Sequence, residues 1–250
     1  MSNDFYVGYD TPVPRGSRRF IFGSVAAVIA TGLFLVLLIV ATERPFADSS
    51  FAYGQVTTLI GRVELNPYPT LVLDDMPTGR SRERTLLVAP GKHGAAALVL
   101  PYDHQRVRLA GSLIRRGERR AIEISPGTIE RAEDQTSTFL AREIDLGTVT
   151  LQGEVVDGKC YLGVMNPGEG PTHRDCAVRC IRGGLPPLFA VTTSDNNVLV
   201  FTLMSGARQP VNAQVASLVG RPIEITGRVL KTDGELMLLA DPTGYRLLSR

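Results

Sequence analysis

The chain has no tryptophan, and aromatic residues make up only 6% of its 250 positions. Base-stacking platforms for single-stranded nucleic acid are built from such rings. Neither end carries the basic run that would follow a phosphate backbone, and the formal net charge is only +2. No nucleic-acid partner is expected. Cysteine and histidine are scarce as well, with three of each. There is no Cys-x-x-Cys-His, which excludes attachment of c-type haem, and no Cys-x-His pair of the Rieske type. Hydrophobic residues at 44% and charged residues at 21% are ordinary for a globular chain, and the length allows one large domain or two of about 100 residues.

One stretch departs from that average. Residues 20–41, FIFGSVAAVIATGLFLVLLIVA, carry no charge, and 14 of these 22 are Leu, Ile, Val or Phe. As a helix the run is about 33 Å long, enough to cross a ~30 Å hydrocarbon layer. At about −0.3 to −0.6 kcal/mol for each such side chain, insertion is favourable by several kcal/mol. A surface helix would show a polar face, and none is present. Cleaved signal peptides have apolar regions of about 7–15 residues, shorter than this one, and Ala41 or Pro45-Phe46-Ala47 makes a poor cleavage site. A transmembrane helix over residues 20–41 is expected, with the lipid bilayer as its partner. Arg15, Arg18 and Arg19 precede the run, whereas Glu43, Arg44 and Asp48 follow it. The positive-inside rule makes residues 1–19 a cytoplasmic tail and puts the rest outside the cytoplasm. In a bacterial cell that is a single-pass inner-membrane protein with periplasmic domains, in an oxidising compartment.

After a linker over residues 42–52, the chain reads as short strands. Residues 54–65, 70–73, 85–89, 106–111 and 121–124 are β-branched or alternating, and Pro67, Pro69, Pro90 and Gly117 mark breaks between them. The plan then repeats at residues 147–156, 187–191, 198–203, 223–227 and 236–239. The clearest match sets Val107-Arg-Leu-Ala-Gly111 against Ile223-Glu-Ile-Thr-Gly227. Residues 130–143 read as a linker or short helix between the copies, and residues 210–220 as a helix opened by Pro210 and closed by Gly220. A tandem repeat of one β-module follows. Five strands with a short helix before the last hairpin resemble an oligonucleotide/oligosaccharide-binding (OB) barrel. The resemblance implies a mainly β chain, an N-terminal transmembrane helix followed by two small OB-like β-barrels over residues 51–130 and 147–250. It does not fix a function.

The second copy differs by an insertion, residues 160–184, which holds all three cysteines. Pro167, Gly168, Gly170 and Pro171 make its first part a loop. Thr172 with Asp175 resembles a capping box, and Gly183-Gly184 ends a helix expected over residues 173–182. On that helix His173, Cys176 and Cys180 fall within about 60° of one face, and Cys160 can approach it from the preceding strand. Cys160, His173, Cys176 and Cys180 are thus candidate ligands of a Cys3His site for zinc, or, with Met165 nearby, for copper(I). Glu154 and Asp157 are placed to orient His173 or add an oxygen ligand.

Three other readings use the same residues. A disulfide from Cys160 to Cys176 or Cys180 would staple the loop of a structural subunit in a membrane complex. A redox thiol at Cys176 would be activated by the helix start, Arg174 and His173. An acyl-transfer nucleophile is suggested by Cys180-Ile181-Arg182, which resembles the Cys-Ile-Arg of L,D-transpeptidases, although Ala177-Val178-Arg179 stands where their Ser-x-Gly belongs. The block from Gly153 through the Cys-His insertion to Pro187 resembles one in an uncharacterised bacterial membrane-anchored protein family. That likeness implies a location and adds no reaction. The turn holding Lys92 and His93 reads as solvated. The arginines at 115, 116, 119 and 120 read as a solvated hairpin turn, with anionic lipid or a partner as the alternative. Together these features indicate a membrane-anchored extracytoplasmic binding or accessory protein with a metal or thiol site in its second β-module.

Overall fold

A computed structural model describes residues 15–42, 48–73, 83–133 and 143–248. The chain divides into two units, residues 1–46 and 47–250. The first holds one helix, α1 (Arg15–Thr42), whose apolar side chains are exposed on all sides. It is long and apolar enough to cross a membrane, with a mean hydropathy of 2.7 in its most apolar window.

In the second unit, the first half contributes β1 (Ser49–Phe51), β2 (Thr57–Glu64), β3 (Thr70–Leu73), β4 (Arg84–Val88), the short helix α2 (Ala96–Val99), β5 (Arg106–Arg116), β6 (Arg119–Ile124) and β7 (Glu130–Arg131). The second half contributes β8 (Glu143–Asp157), α3 (Arg174–Arg182), β9 (Pro187–Thr192), β10 (Val198–Met204), α4 (Asn212–Val215), β11 (Pro222–Thr232), β12 (Glu235–Leu239) and β13 (Tyr245–Leu247). Each half closes a five-stranded barrel with the same pairing. In the first, β2 lies between β3 and β5, β4 runs parallel to β6, and β5 and β6 close the ring. In the second, β8 lies between β9 and β11, β10 runs parallel to β12, and β11 and β12 close the ring. The parallel pair and the short helix before the fourth strand give the OB-like order. Both barrels need a glycine where the fourth strand crosses its neighbour. A Cβ on Gly111 would overlap the Glu123 carbonyl, and one on Gly227 would crowd that of Leu239. The repeated glycine of the two matching segments is thus a packing requirement of ring closure.

Each barrel has its own core. Leu71, Leu87, Leu109 and Ile122 fill the first beneath Val99 of α2. Phe189, Leu203, Ile225 and Leu238 fill the second, with Val215 and Ile181 from the helices. A third apolar cluster joins them: Leu86, Val88 and Ile114 of the first barrel meet Val156, Tyr161, Leu162, Leu185 and Leu188 of the second. The β4 strand is therefore buried on both faces, which explains the apolar run from Leu86 to Ala89. Polar contacts cross the same seam. The Tyr68 hydroxyl donates to the Leu203 carbonyl at 2.8 Å and accepts the Val211 N–H at 3.1 Å. Arg84 pairs with Glu64 at 2.7 Å and reaches Glu235 at 3.6 Å.

Several expectations change. The arginine hairpin is not simply solvated. Arg116 stacks 3.8 Å from the Tyr161 ring centroid, Arg119 donates to Thr202 at 2.7 Å, and Arg120 pairs with Glu83 at 2.6 Å. Part of the 42–52 linker is β1, which pairs with β5. At the expected helix or linker over residues 130–143, Glu130–Arg131 form a strand on β5 and Glu143 already belongs to β8; residues 134–142 lie outside the described residues. Helix α4 is one turn long, shorter than expected for residues 210–220, although Val211, Val215 and Val219 all pack into the barrel core.

Leu185 sits in the joining cluster with no exposed surface. Leu185→Ala should cost about 2–5 kcal/mol, read as a lower midpoint in denaturant unfolding of the detergent-solubilised chain.

Candidate metal and thiol site

The insertion leaves β8 at Asp157 and returns at β9. In the first barrel the matching connection is a few residues long; here it runs from 158 to 186. Its first part is a single wide helical turn, Cys160–Val164, in which the Met165 N–H reaches back to the Cys160 carbonyl at 3.1 Å. Asp157 organises that turn. One carboxylate oxygen accepts the N–H groups of Lys159 and Cys160 at 3.1 and 2.7 Å. The other faces His173 Nε2 at 3.1 Å. Both Asp157 and His173 are buried. Helix α3 starts one residue later than expected: His173 is its N-cap residue, without a side-chain cap, so the expected Thr172 capping box is not formed. His173 is held by Asp157 instead.

All three cysteines are free. Their sulfurs lie within 4.8 Å of one another. Cys160 and Cys180 are buried, with sulfurs 4.0 Å apart, well beyond the ~2.05 Å of a disulfide bond. The stapled loop is therefore not present. Cys176 is partly exposed. His173 and Asp157 form a second group with Cys160, within the same 4.8 Å limit. The four expected ligands thus separate: the three sulfurs converge, while the imidazole joins Cys160 through a side shared with Asp157.

Charge in the cluster is uneven. Cys160 is held far above the ordinary thiol range, first by its hydrogen bond to Cys180, then by burial and the nearby Asp157. Cys180 is lowered, first by accepting that bond and further by the charge of Lys92. The two thiols titrate as a coupled pair.

Lys92, read from sequence as a solvated turn residue, is the missing member. Its ammonium donates to Cys176 Sγ at 2.6 Å, and that contact raises its pKa. Lys92 comes from the first barrel. Its loop is fixed by Lys159, which is 2% exposed, pairs with Glu123 and donates to the carbonyls of Ala89 and Gly91 at 2.8 and 2.7 Å. The loop also rests on the end of α3: the Gly94 N–H donates to the Gly183 carbonyl at 2.8 Å. A Cβ on Gly183 would overlap the Lys92 carbonyl. Nothing local to residues 90–94 marks this role, because the partner sulfur is 84 positions away. Glu154 accepts the Gly170 N–H at 2.7 Å, and burial raises its pKa.

No protein-family model and no curated protein matches this chain. Chemically, the arrangement offers three soft sulfur donors, a buried Asp–His pair beside one of them, and a cation beside another. The donor set fits a thiophilic metal ion. The Cys-Ile-Arg segment offers no accessible nucleophile, since Cys180 is only 1% exposed.

Two outcomes follow. Gly183→Ala should push the Lys92 loop off α3, lower Tm, and speed alkylation of Cys176 in the folded chain several-fold. Glu154 has a raised folded pKa, so its contribution to stability is present below the unfolded value of about 4.3 and is lost as pH rises. Glu154→Gln keeps an acceptor for Gly170 and should raise Tm slightly near neutral pH. Thermal melts across the acid range should show that gain vanish below about pH 4.

Proposed function

We propose that this protein is a membrane-anchored extracytoplasmic accessory module that holds a soft metal ion, zinc or copper, on Cys160, Cys176 and Cys180. The observation that carries this reading is the convergence of the three sulfurs within 4.8 Å, without a disulfide, at the seam of two barrels. Three thiolates gathered in one place repel one another, and a cation bound between them relieves that repulsion. The anchor is α1, with Arg15, Arg18 and Arg19 on the cytoplasmic side and the barrels in the periplasm of a bacterial envelope. The two OB-like barrels would present the site to a membrane-protein complex.

Elemental analysis of the reduced, detergent-purified chain should find about one zinc or copper ion per chain, lost when Cys160, Cys176 or Cys180 is changed to Ser. A metal-free chain whose three thiols all titrate freely, and which takes up neither ion, would sink this reading. A reporter enzyme that works only outside the cytoplasm, fused after Arg250, should be active; activity only in the cytoplasm would reverse the topology.

A second reading, a thiol-redox protein, is favoured by the partial exposure of Cys176 and its contact with Lys92. It expects rapid alkylation confined to Cys176 and a Cys160–Cys180 disulfide after mild oxidation, with no bound metal.

A further inference from the structure

Building on the metal-site reading, we propose that the ion is monovalent copper, held by three sulfurs and no fourth ligand, with Lys92 of the first barrel as its charge partner rather than a donor to the metal. Three features of the cluster point to it.

The first is the donor count. Among the described residues, no imidazole or carboxylate joins all three sulfurs within 4.8 Å; Asp157 and His173 group only with Cys160. His173 Nε2 is taken up by Asp157 at 3.1 Å, so only its Nδ1 is left to meet a metal, and neither ring nitrogen groups with all three sulfurs.

The second is what stands on the open sulfur. Cys176 is the partly exposed member, and its outer side is taken by the Lys92 ammonium at 2.6 Å. An ammonium has three N–H donors and no lone pair, so it cannot bind a metal. It does occupy the side from which water or another fourth ligand would come. Lys159 and the Gly94–Gly183 contact hold its loop in place.

The third is the preference of the ion. Structural zinc sites are almost always four-coordinate and tetrahedral, whereas thiolate sets also suit copper(I). Three sulfurs at about 2.3 Å from an ion sit roughly 3.75 Å apart in a tetrahedron and about 4.0 Å apart in a plane, and the cluster spans both. The Cys160–Cys180 separation is 4.0 Å. A copper(I) ion on three thiolates leaves a net charge of −2, which a fixed ammonium at Cys176 offsets in part. Binding is ligand exchange: copper enters already reduced, and thiol protons leave to solvent.

The test uses the full chain in detergent, reduced and anaerobic, titrated separately with zinc(II) and with copper(I) against a copper(I) chelator. X-ray absorption of the copper form should show three sulfur neighbours and no nitrogen. Each Cys→Ser change should weaken copper(I) binding by at least about a hundredfold. His173→Gln, which keeps a donor for Asp157, should weaken it by less than about tenfold and leave the three-sulfur signature unchanged. Lys92→Gln should weaken binding by about tenfold and admit a light fourth neighbour. A nitrogen neighbour, or loss in His173→Gln equal to that in the cysteine variants, would overturn three-coordination while leaving the metal site standing. Zinc binding without copper(I) binding would do the same. Failure of the reduced chain to bind either ion would overturn both.

Discussion

The ion pair between Lys159 and Glu123 ties the two barrels and the cysteine cluster together. Lys159 is the residue before Cys160, and its ammonium is buried in the seam. Taking an ammonium out of water costs several kcal/mol unless its donors are matched. All three of its partners here, Glu123 and the carbonyls of Ala89 and Gly91, come from the first barrel. The second barrel cannot move away without leaving that charge unpaired. The same bonds fix the loop that carries Lys92 to Cys176. One buried charge thus sets both the docking of the barrels and the geometry of the thiol cluster.

Around that pair the insertion serves two purposes. Tyr161, Leu162 and Leu185 fill the apolar space between the barrels, while Cys160 and Cys180 lie on the same packed surface. The sulfurs are therefore positioned by core packing rather than by a mobile loop, and packed side chains have few alternative rotamers. Cys176, the partly exposed member, meets the Lys92 ammonium of the first barrel. The second barrel thus supplies all three sulfurs and the first supplies Lys92 beside them.

Asp157 decides the chemistry within the cluster. As the last residue of β8, it caps the turn that carries Cys160 and binds His173 on its other oxygen. A helix-face projection puts His173 on the same side as Cys176 and Cys180. It carries no information about a carboxylate arriving from a neighbouring strand. That carboxylate faces the imidazole through Nε2, and His173 groups with Asp157 and Cys160 beside the three sulfurs.

Most of the barrel architecture was legible because it rests on short-range signals. Alternating or continuous apolar runs marked the strands, and the segments ending at Gly111 and Gly227 marked the repeat. The apolar helix was legible for the same reason, since its length and lack of charge need no partner to be read. The convergence of three cysteines was also within reach: helical spacing put Cys176 and Cys180 on one face, and Cys160 lay at a strand end nearby. What the sequence could not supply were the contacts that close over long loops. Lys92 meets Cys176, Lys159 meets Glu123, and the arginine hairpin turns into the seam, each through residues far apart in the chain. Local composition decides which segments form strands and helices, because backbone hydrogen bonding and side-chain period act over a few residues. Tertiary packing alone decides which charges are buried together, because that depends on how two finished barrels meet.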